Sequence, residues 1–326
     1  MAPDVYVFRI ECKGHTAPLR KVYHETPAGV GAHGVIPDSK TLRLASSPAG
    51  PIIAAMPTES IQAMLKLATR LAHEAADLGR THTGRTAISR KSDRSLVTEA
   101  DRAIETHILA AIRDAHPDHA TCAEESASDP NPDRARPRFC WVIDPIDGTR
   151  NYVSGFPGYC TSIAVLDRGR TVIGVVLNHN GGDLYVATAG GGASLNGQAV
   201  HMTEVRQGDD LLLGVPSSKD GLTVTVVGSW LAKPGIVCRN VGSTALHMSM
   251  VAAGQLGAAF CKQCKIWDVA AGVLLVEEAG GRVTNLQGGS LLPFDLTRDP
   301  CSDVPHITAA PGTHEQLLEQ VRAMAE

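Results

Sequence analysis

Trp141-Val142-Ile143-Asp144-Pro145-Ile146-Asp147-Gly148-Thr149-Arg150-Asn151-Tyr152 is the stretch that decides how this chain folds. Around its start, Phe139 to Ile143 form a short apolar run without helical period, which reads as a buried strand. The run ends in two carboxylates separated only by Pro145 and Ile146. Pro145 has no N–H and a fixed φ, so the strand ladder is expected to stop there. Two anions at the end of a buried strand repel each other and are costly to strip of water unless a cation joins them. Mg²⁺, which prefers oxygen ligands, is the expected cation. Gly148 and Thr149 then offer backbone N–H groups and a hydroxyl to an anion, as a tight turn entering a helix does. Asp-Pro and Asp-Gly also mark ordinary turns, so the rest of the chain has to supply the context.

With 326 residues and a formal net charge of −4, the chain can bury a large core and gives no reason to expect nucleic acid or membrane as a partner. No apolar run approaches the ~20 residues that span a bilayer. The start, Met1-Ala2-Pro3-Asp4, lacks the basic-then-apolar order of a signal peptide. Eight cysteines are scattered without a disulfide-scaffold pattern, which suits a reducing cytoplasm. Residues 1–57 are rich in Pro and Gly and read as a poorly ordered or partly structured extension carrying nothing catalytic.

Regular pattern begins at Thr58, a candidate cap for a helix with Ile61, Leu65, Ala68 and Ala72 at helical spacing. Thr98 with Asp101 three residues on forms a capping box, and Asp101 shares the stripe of Ile104, Ile108 and Ile112. An inward carboxylate needs a partner, whereas a first-turn Asp can simply serve the helix dipole; the pattern leaves both open. Glu124 and Glu125 are adjacent, ordinarily a solvated pair. Thr161 to Asn178 read as a hairpin about Asp167-Arg168-Gly169, and Asp183 to Thr188 continue a meander. Polar residues near 202–210 suggest a boundary before a second half. There Asp268 precedes the apolar helical run Val269 to Ala279, closed by Gly280-Gly281, and a lone Asp at that place is usually an N-cap. Cys261-Lys262-Gln263-Cys264 has zinc or redox spacing without a second such pair, and reads as structural or incidental. A P-loop or a dinucleotide fingerprint is absent, so nucleotide-dependent transfer has no support.

Asp144, Pro145, Ile146, Asp147, Gly148, Thr149, Asn151 and Tyr152 resemble, in order, the signature Asp-Pro-hydrophobic-Asp-Gly-Thr-x-Asn-aromatic of the inositol monophosphatase family. Glu124-Glu125 fall where that family has Gly-Glu-Glu, with Ala123 in place of the glycine. Trp267-Asp268, Ala270-Ala271-Gly272 and Glu278-Ala279-Gly280-Gly281 match its last motifs. The resemblance covers roughly residues 58–326. It implies a five-layer αβαβα sandwich of the inositol monophosphatase and fructose-1,6-bisphosphatase type, with an α+β half at 58–205 and an α/β half at 206–326.

The same resemblance implies a lithium-sensitive, Mg²⁺-dependent hydrolysis of a small phosphomonoester, possible in a homodimer. Glu124, Asp144 and the Ile146 carbonyl would hold one ion, and Asp144, Asp147 and Asp268 a second. Thr149, backed by Asp101, would orient the attacking water, with Gly148 and Thr149 N–H groups on the phosphoryl oxygens. Thr244, Cys261 and Lys91 would lie at the substrate. Inositol-processing members carry a glutamate where this chain has Cys261, seven residues before Asp268. Inositol 1-phosphate is the default substrate; fructose 1,6-bisphosphate, histidinol phosphate and 3′-phosphoadenosine 5′-phosphate are the alternatives. Lys262 and Lys265 could serve a second phosphate or face solvent. A catalytically silent regulatory homologue is the reading from a different class.

Overall fold

Two main sheets and three layers of helix alternate, beside a small antiparallel pair (Ile88–Arg90 with Leu96–Thr98), in a computed structural model that describes residues 58–82, 88–90, 96–127, 137–204 and 209–325. The extension at 1–57 and Lys91 lie outside the described residues. In order the elements are α1 (Thr58–His82), β1 (Ile88–Arg90), β2 (Leu96–Thr98), α2 (Glu99–Ala115), β3 (Ala120–Ala123), β4 (Phe139–Asp147) and α3 (Thr149–Ser154). The meander follows as β5 (Cys160–Asp167), β6 (Arg170–Asn178), β7 (Leu184–Thr188), β8 (Gly192–Leu195) and β9 (Gln198–Val200). Then come β10 (Leu211–Gly214), α4 (Gly221–Leu231), β11 (Ile236–Arg239), α5 (Thr244–Ala252), β12 (Ala258–Cys261) and α6 (Ile266–Glu278). The last are β13 (Arg282–Thr284), β14 (His306–Ala309) and α7 (Pro311–Ala325). Strands β3 to β9 form one seven-stranded sheet in sequence order, parallel only at β3–β4. The five-stranded sheet runs β11-β10-β12-β14-β13, parallel on one side of β12 and antiparallel on the other.

Side-chain pattern explains the layering. In α1, Met64, Leu67, Ala68, Leu71, Ala72 and Ala75 make one buried stripe, and α2 answers with Ala100, Ile104, Ile108 and Ile112. Both stripes pack with Trp141, Ile143, Ile163 and Val165 on the outer face of the large sheet. The alternate residues Cys140, Val142, Ala164 and Leu166 face the other way, into a core shared with α5 and α6. Because both faces are covered, β4 and β5 are apolar almost throughout, as their sequences indicate. Helices α5 and α6 also lie on the small sheet, whose far side carries α4 and α7 around Trp230, Phe260 and Leu317. The order is therefore helix, sheet, helix, sheet, helix. Contact at the middle is close: a Cβ at Gly174 of β6 would stand 2.7 Å from the Ala271 carbonyl oxygen of α6.

The expectation that the ladder stops at Pro145 needs correcting. Asp144 pairs with Ser162 and Asp147 with Cys160, so Pro145 and Ile146 together oppose the single residue Thr161. This is a bulge, after which pairing resumes for Asp147. It tolerates Pro145 because an unpaired residue has no ladder bond to lose. Its effect is one of parity. In a regular strand, positions i and i+3 point to opposite faces, but one extra residue returns Asp147 to the side of Asp144.

Candidate active site

Asp144 is 1% exposed at the end of β4, and one carboxylate oxygen from each of Asp144, Asp147 and Asp268 lies within 4.8 Å of the others. Different elements hold each acid. Asp147 accepts from the Ser243 hydroxyl (2.6 Å) and the Ala245 N–H (2.7 Å) at the start of α5, where Ser243 is the N-cap and also receives the Leu246 N–H. Asp268 accepts the Lys265 N–H at 2.6 Å. Lys265, not Asp268, is the N-cap of α6, so Asp268 sits in the first turn with its carboxylate folded back over the helix start. Glu124 follows β3, whose parallel pairing with β4 continues in a bond from the Glu124 N–H to the Ile143 carbonyl (3.2 Å).

Crowding shows in the acidities. Burial, then the charges of Glu124, Asp147 and Asp268, push the Asp144 carboxyl well above the usual range. Burial likewise raises Asp268, aided by Asp147, and takes Asp147 up to about 6 despite its bonds from Ser243 and Ala245. Asp144 Oδ1 is buried without a hydrogen-bond partner. Burying such an oxygen is expensive unless something pairs it. Ionised neighbouring carboxylates have no hydrogen to give it, and a cation would satisfy all of them at once. The all-oxygen donor set fits a small hard cation.

Asp147, Glu124, Gly148, Thr149, Ser243 and Thr244 line a cleft of about 550 Å³ over this cluster. Gly148 adopts φ +97° as it caps α3, and a Cβ there would lie 2.8 Å from the Gly158 carbonyl oxygen. Only glycine meets both conditions. The Thr149 hydroxyl donates to the Ile146 carbonyl (3.1 Å), and Asn151 ties the turn down through Gly158 and Val241 carbonyls, both at 2.7 Å. Asp101 is fully buried in the capping box, accepting the Thr98 N–H (2.7 Å) and hydroxyl (2.5 Å). Thr244 donates to the Cys261 sulfur at 3.9 Å, and Cys261 is part of the cleft wall. Contact with Cys264 draws the Cys261 thiol below its ordinary pKa, against burial, while the Cys264 thiol donates to the Val304 carbonyl at 3.0 Å.

Both lysines near the cleft are already engaged. Lys262 Nζ lies 2.7 Å from Asp220 Oδ1, and Lys265 Nζ lies 2.8 Å from Asp303 Oδ1 and 2.6 Å from the Cys301 carbonyl. Sequence reading did not single out Ser217, Ser218, His247 or Asp303, all of which line the cleft. They come from loops and a helix flank that carry no motif. Glu278, matched only as part of a motif, clamps the turn Gly190-Gly191-Gly192 by accepting the Gly190 and Gly192 N–H groups at 2.7 and 2.8 Å.

Three carboxylates clustered at a strand bulge, Asp144 fully buried among them and Asp268 supplied by a helix of the middle layer, make a candidate metal centre in an αβαβα sandwich. The inositol monophosphatase family profile matches residues 57–326. Nus factor SuhB of Escherichia coli (strain K12) is 37% identical over 234 residues, 69% of this chain and 86% of that protein. The chloroplastic phosphatase IMPL1 of Arabidopsis thaliana is 31% identical over 297 residues, covering 87% and 75%. Among solved structures, Thermotoga maritima IMPase superposes with a TM-score of 0.71 at 27% identity, covering 81% of this chain and 98% of that one. This chain belongs to the inositol monophosphatase family.

Proposed function

We propose that the chain is a Mg²⁺-dependent phosphomonoesterase that releases inorganic phosphate from a small phosphorylated polyol or sugar such as inositol 1-phosphate. The carrying observation is the unpartnered, buried Asp144 oxygen inside a three-acid cluster that opens on a polar cleft. Asp144, Asp147, Asp268, Glu124 and the Ile146 carbonyl are the proposed ligands. When bound there, Mg²⁺ supplies Lewis acidity toward water and toward the phosphoryl oxygens.

The protein's own groups do the positioning. Thr149 gives its hydroxyl hydrogen to Ile146, which leaves its oxygen able to accept a hydrogen from water. Asp101, at the neighbouring helix cap, supports that side of the site, and the Gly148 and Thr149 N–H groups are assigned to the phosphoryl oxygens. Asp147 is held from α5 and Asp268 from the start of α6, so the residues at 58–205 and at 206–326 both contribute to one site. Thr244 and Cys261 face the leaving alcohol. Since Lys262 and Lys265 are each paired with a carboxylate, the cleft favours a single phosphate over a bisphosphate. Lithium competing for the Asp144-Asp147-Asp268 site, a cytoplasmic location and a homodimer belong to the same proposal.

The test is hydrolysis of a panel of phosphomonoesters with Mg²⁺ and with chelator. A thiol at position 261 cannot recognise a polyol as a carboxylate does, so turnover is expected across several substrates, with inositol 1-phosphate accepted but not strongly preferred. Cys261→Glu should raise the kcat/KM ratio of inositol 1-phosphate over glycerol 2-phosphate. No metal-dependent hydrolysis of any member sinks the phosphatase reading. A wild-type preference for inositol 1-phosphate of several orders of magnitude removes the Cys261 argument alone. A second reading comes from the name of the E. coli relative, a Nus factor, and assigns this chain a role other than catalysis; unchanged cellular function in a turnover-dead variant would favour it.

A further inference from the structure

The bulge that aligns Asp144 with Asp147 has a support behind it that no cleft residue provides. Thr161, fully buried opposite the bulge, lies 2.8 Å from the Pro145 carbonyl and 2.8 Å from His179 Nε2. A threonine hydroxyl has one hydrogen. A carbonyl can only accept, so that hydrogen goes to Pro145. The second contact then pairs only if His179 donates from Nε2, which fixes the imidazole as the Nε2–H tautomer. The ring is held in turn. Its backbone N–H donates to the Tyr159 carbonyl (3.1 Å), and the Tyr159 ring meets it edge-on with centroids 5.4 Å apart. Gly79 of α1 lies against the far side, where a Cβ would stand 3.4 Å from Nδ1. Nδ1 is buried without a hydrogen-bond partner, and burial, with Arg80 nearby, pushes the His179 pKa down to about 4. At neutral pH the ring is therefore an uncharged single donor.

We propose that His179 and Thr161 are positioning residues for the metal site: His179 orients the Thr161 hydroxyl, which pins the Pro145 carbonyl and sets the bulge that carries Asp144 and Asp147. The inference rests on the metal-dependent reading above. Neither residue lines the cleft. The leverage comes from geometry. Mg²⁺ demands near-ideal octahedral distances, whereas Ca²⁺ accepts irregular shells at longer range. A bulge allowed to relax by a fraction of an ångström should therefore penalise Mg²⁺ much more than Ca²⁺.

The experiment is calorimetric titration of the full-length, metal-free chain with Mg²⁺ and, separately, Ca²⁺, well below each variant's melting temperature. Thr161→Val keeps the shape and removes the donor; His179→Phe keeps a flat ring and removes Nε2–H. Each should weaken Mg²⁺ binding about tenfold, the lower end of what supporting hydrogen bonds contribute at metal sites, with Ca²⁺ affinity far less affected. Thr161→Ser and His179→Gln, which retain the donors, should stay near wild type. A folded Thr161→Val or His179→Phe that binds Mg²⁺ as tightly as wild type overturns the proposal. So does an equal loss for both ions, which marks a merely structural role. If Thr161→Val does not fold, His179→Phe decides, being altered one residue further from the bulge. Wild type that binds neither ion defeats the metal reading itself, and this inference with it; a failure confined to the variants defeats the relay alone.

Discussion

Asp144→Asn should lower kcat by about a thousandfold or more at saturating Mg²⁺, the scale on which loss of one strong electrostatic contact to a transition state is felt. Asp144 is the most buried acid of the cluster and the one whose Oδ1 lacks a partner. An amide of the same shape keeps the packing while removing one of the charges that would hold the metal. The same change should raise the melting temperature of the metal-free protein. Glu124, Asp147 and Asp268 all disfavour a charge at position 144, and a neutral amide ends that repulsion while offering Asp268 a hydrogen. Loss of turnover together with a gain in metal-free stability separates a ligand from a structural acid, because breaking a structural contact lowers both. Near-normal turnover in Asp144→Asn at matched Mg²⁺ would falsify the ligand assignment.

The second large effect is in the stabilisation that Mg²⁺ confers. Asp147 titrates at about 6 in the folded chain, above an unfolded value near 4, and Asp144 and Asp268 are raised further. For acids raised in this way, the stability they contribute is complete below the unfolded pKa and is lost as pH rises through the folded one. Metal-free protein thus loses this contribution from about pH 4 upward. Four buried histidines oppose the trend. His179, His247 and His314 are pushed down to about 4 and His306 to about 3, chiefly by burial, so their contribution is lost as pH falls below about 6.5. Their share is the same with and without metal and cancels in the difference. The melting-temperature gain on adding saturating Mg²⁺ should therefore grow from pH 5 to pH 7.5, as Asp147 sheds a proton that competes with the ion. A gain that is flat across that range would remove the cluster from the metal's account.

Much of this was legible before any coordinates. Trp141 to Tyr152 announced the strand and the turn because apolar continuity and Asp-Gly-Thr chemistry are local properties. Thr98 and Asp101 were readable as a capping box for the same reason, and the structure forms it. The bulge was not readable: Pro145 reports that a ladder bond is missing, but not that pairing resumes at Asp147. Nor could sequence tell that Lys262 and Lys265 already have carboxylate partners, since Asp220 and Asp303 are about forty residues away in either direction. Asp268 could be read from sequence as the N-cap of α6, because Asp serves a helix start equally well from the cap or from the first turn, whereas the cap is Lys265. What remained hidden throughout is whatever depends on contacts between distant segments, Thr161 with His179 included.

The middle helical layer has a consequence for synthesis. Glu124, Asp144 and Asp147 leave the ribosome more than a hundred residues ahead of Asp268, and the large sheet is complete well before α5 and α6 exist. Until then its inner face, with Cys140, Val142, Ala164 and Leu166, has no cover, and Asp147 lacks the Ser243 and Ala245 donors that hold it. A nascent chain at that stage carries both a bare apolar surface and an unfinished acid nest, the condition in which partly made proteins stick to one another. Cover and the last acid of the cluster arrive together on α6, so an ion held by all three acids would have to wait until the middle helical layer closes over the large sheet.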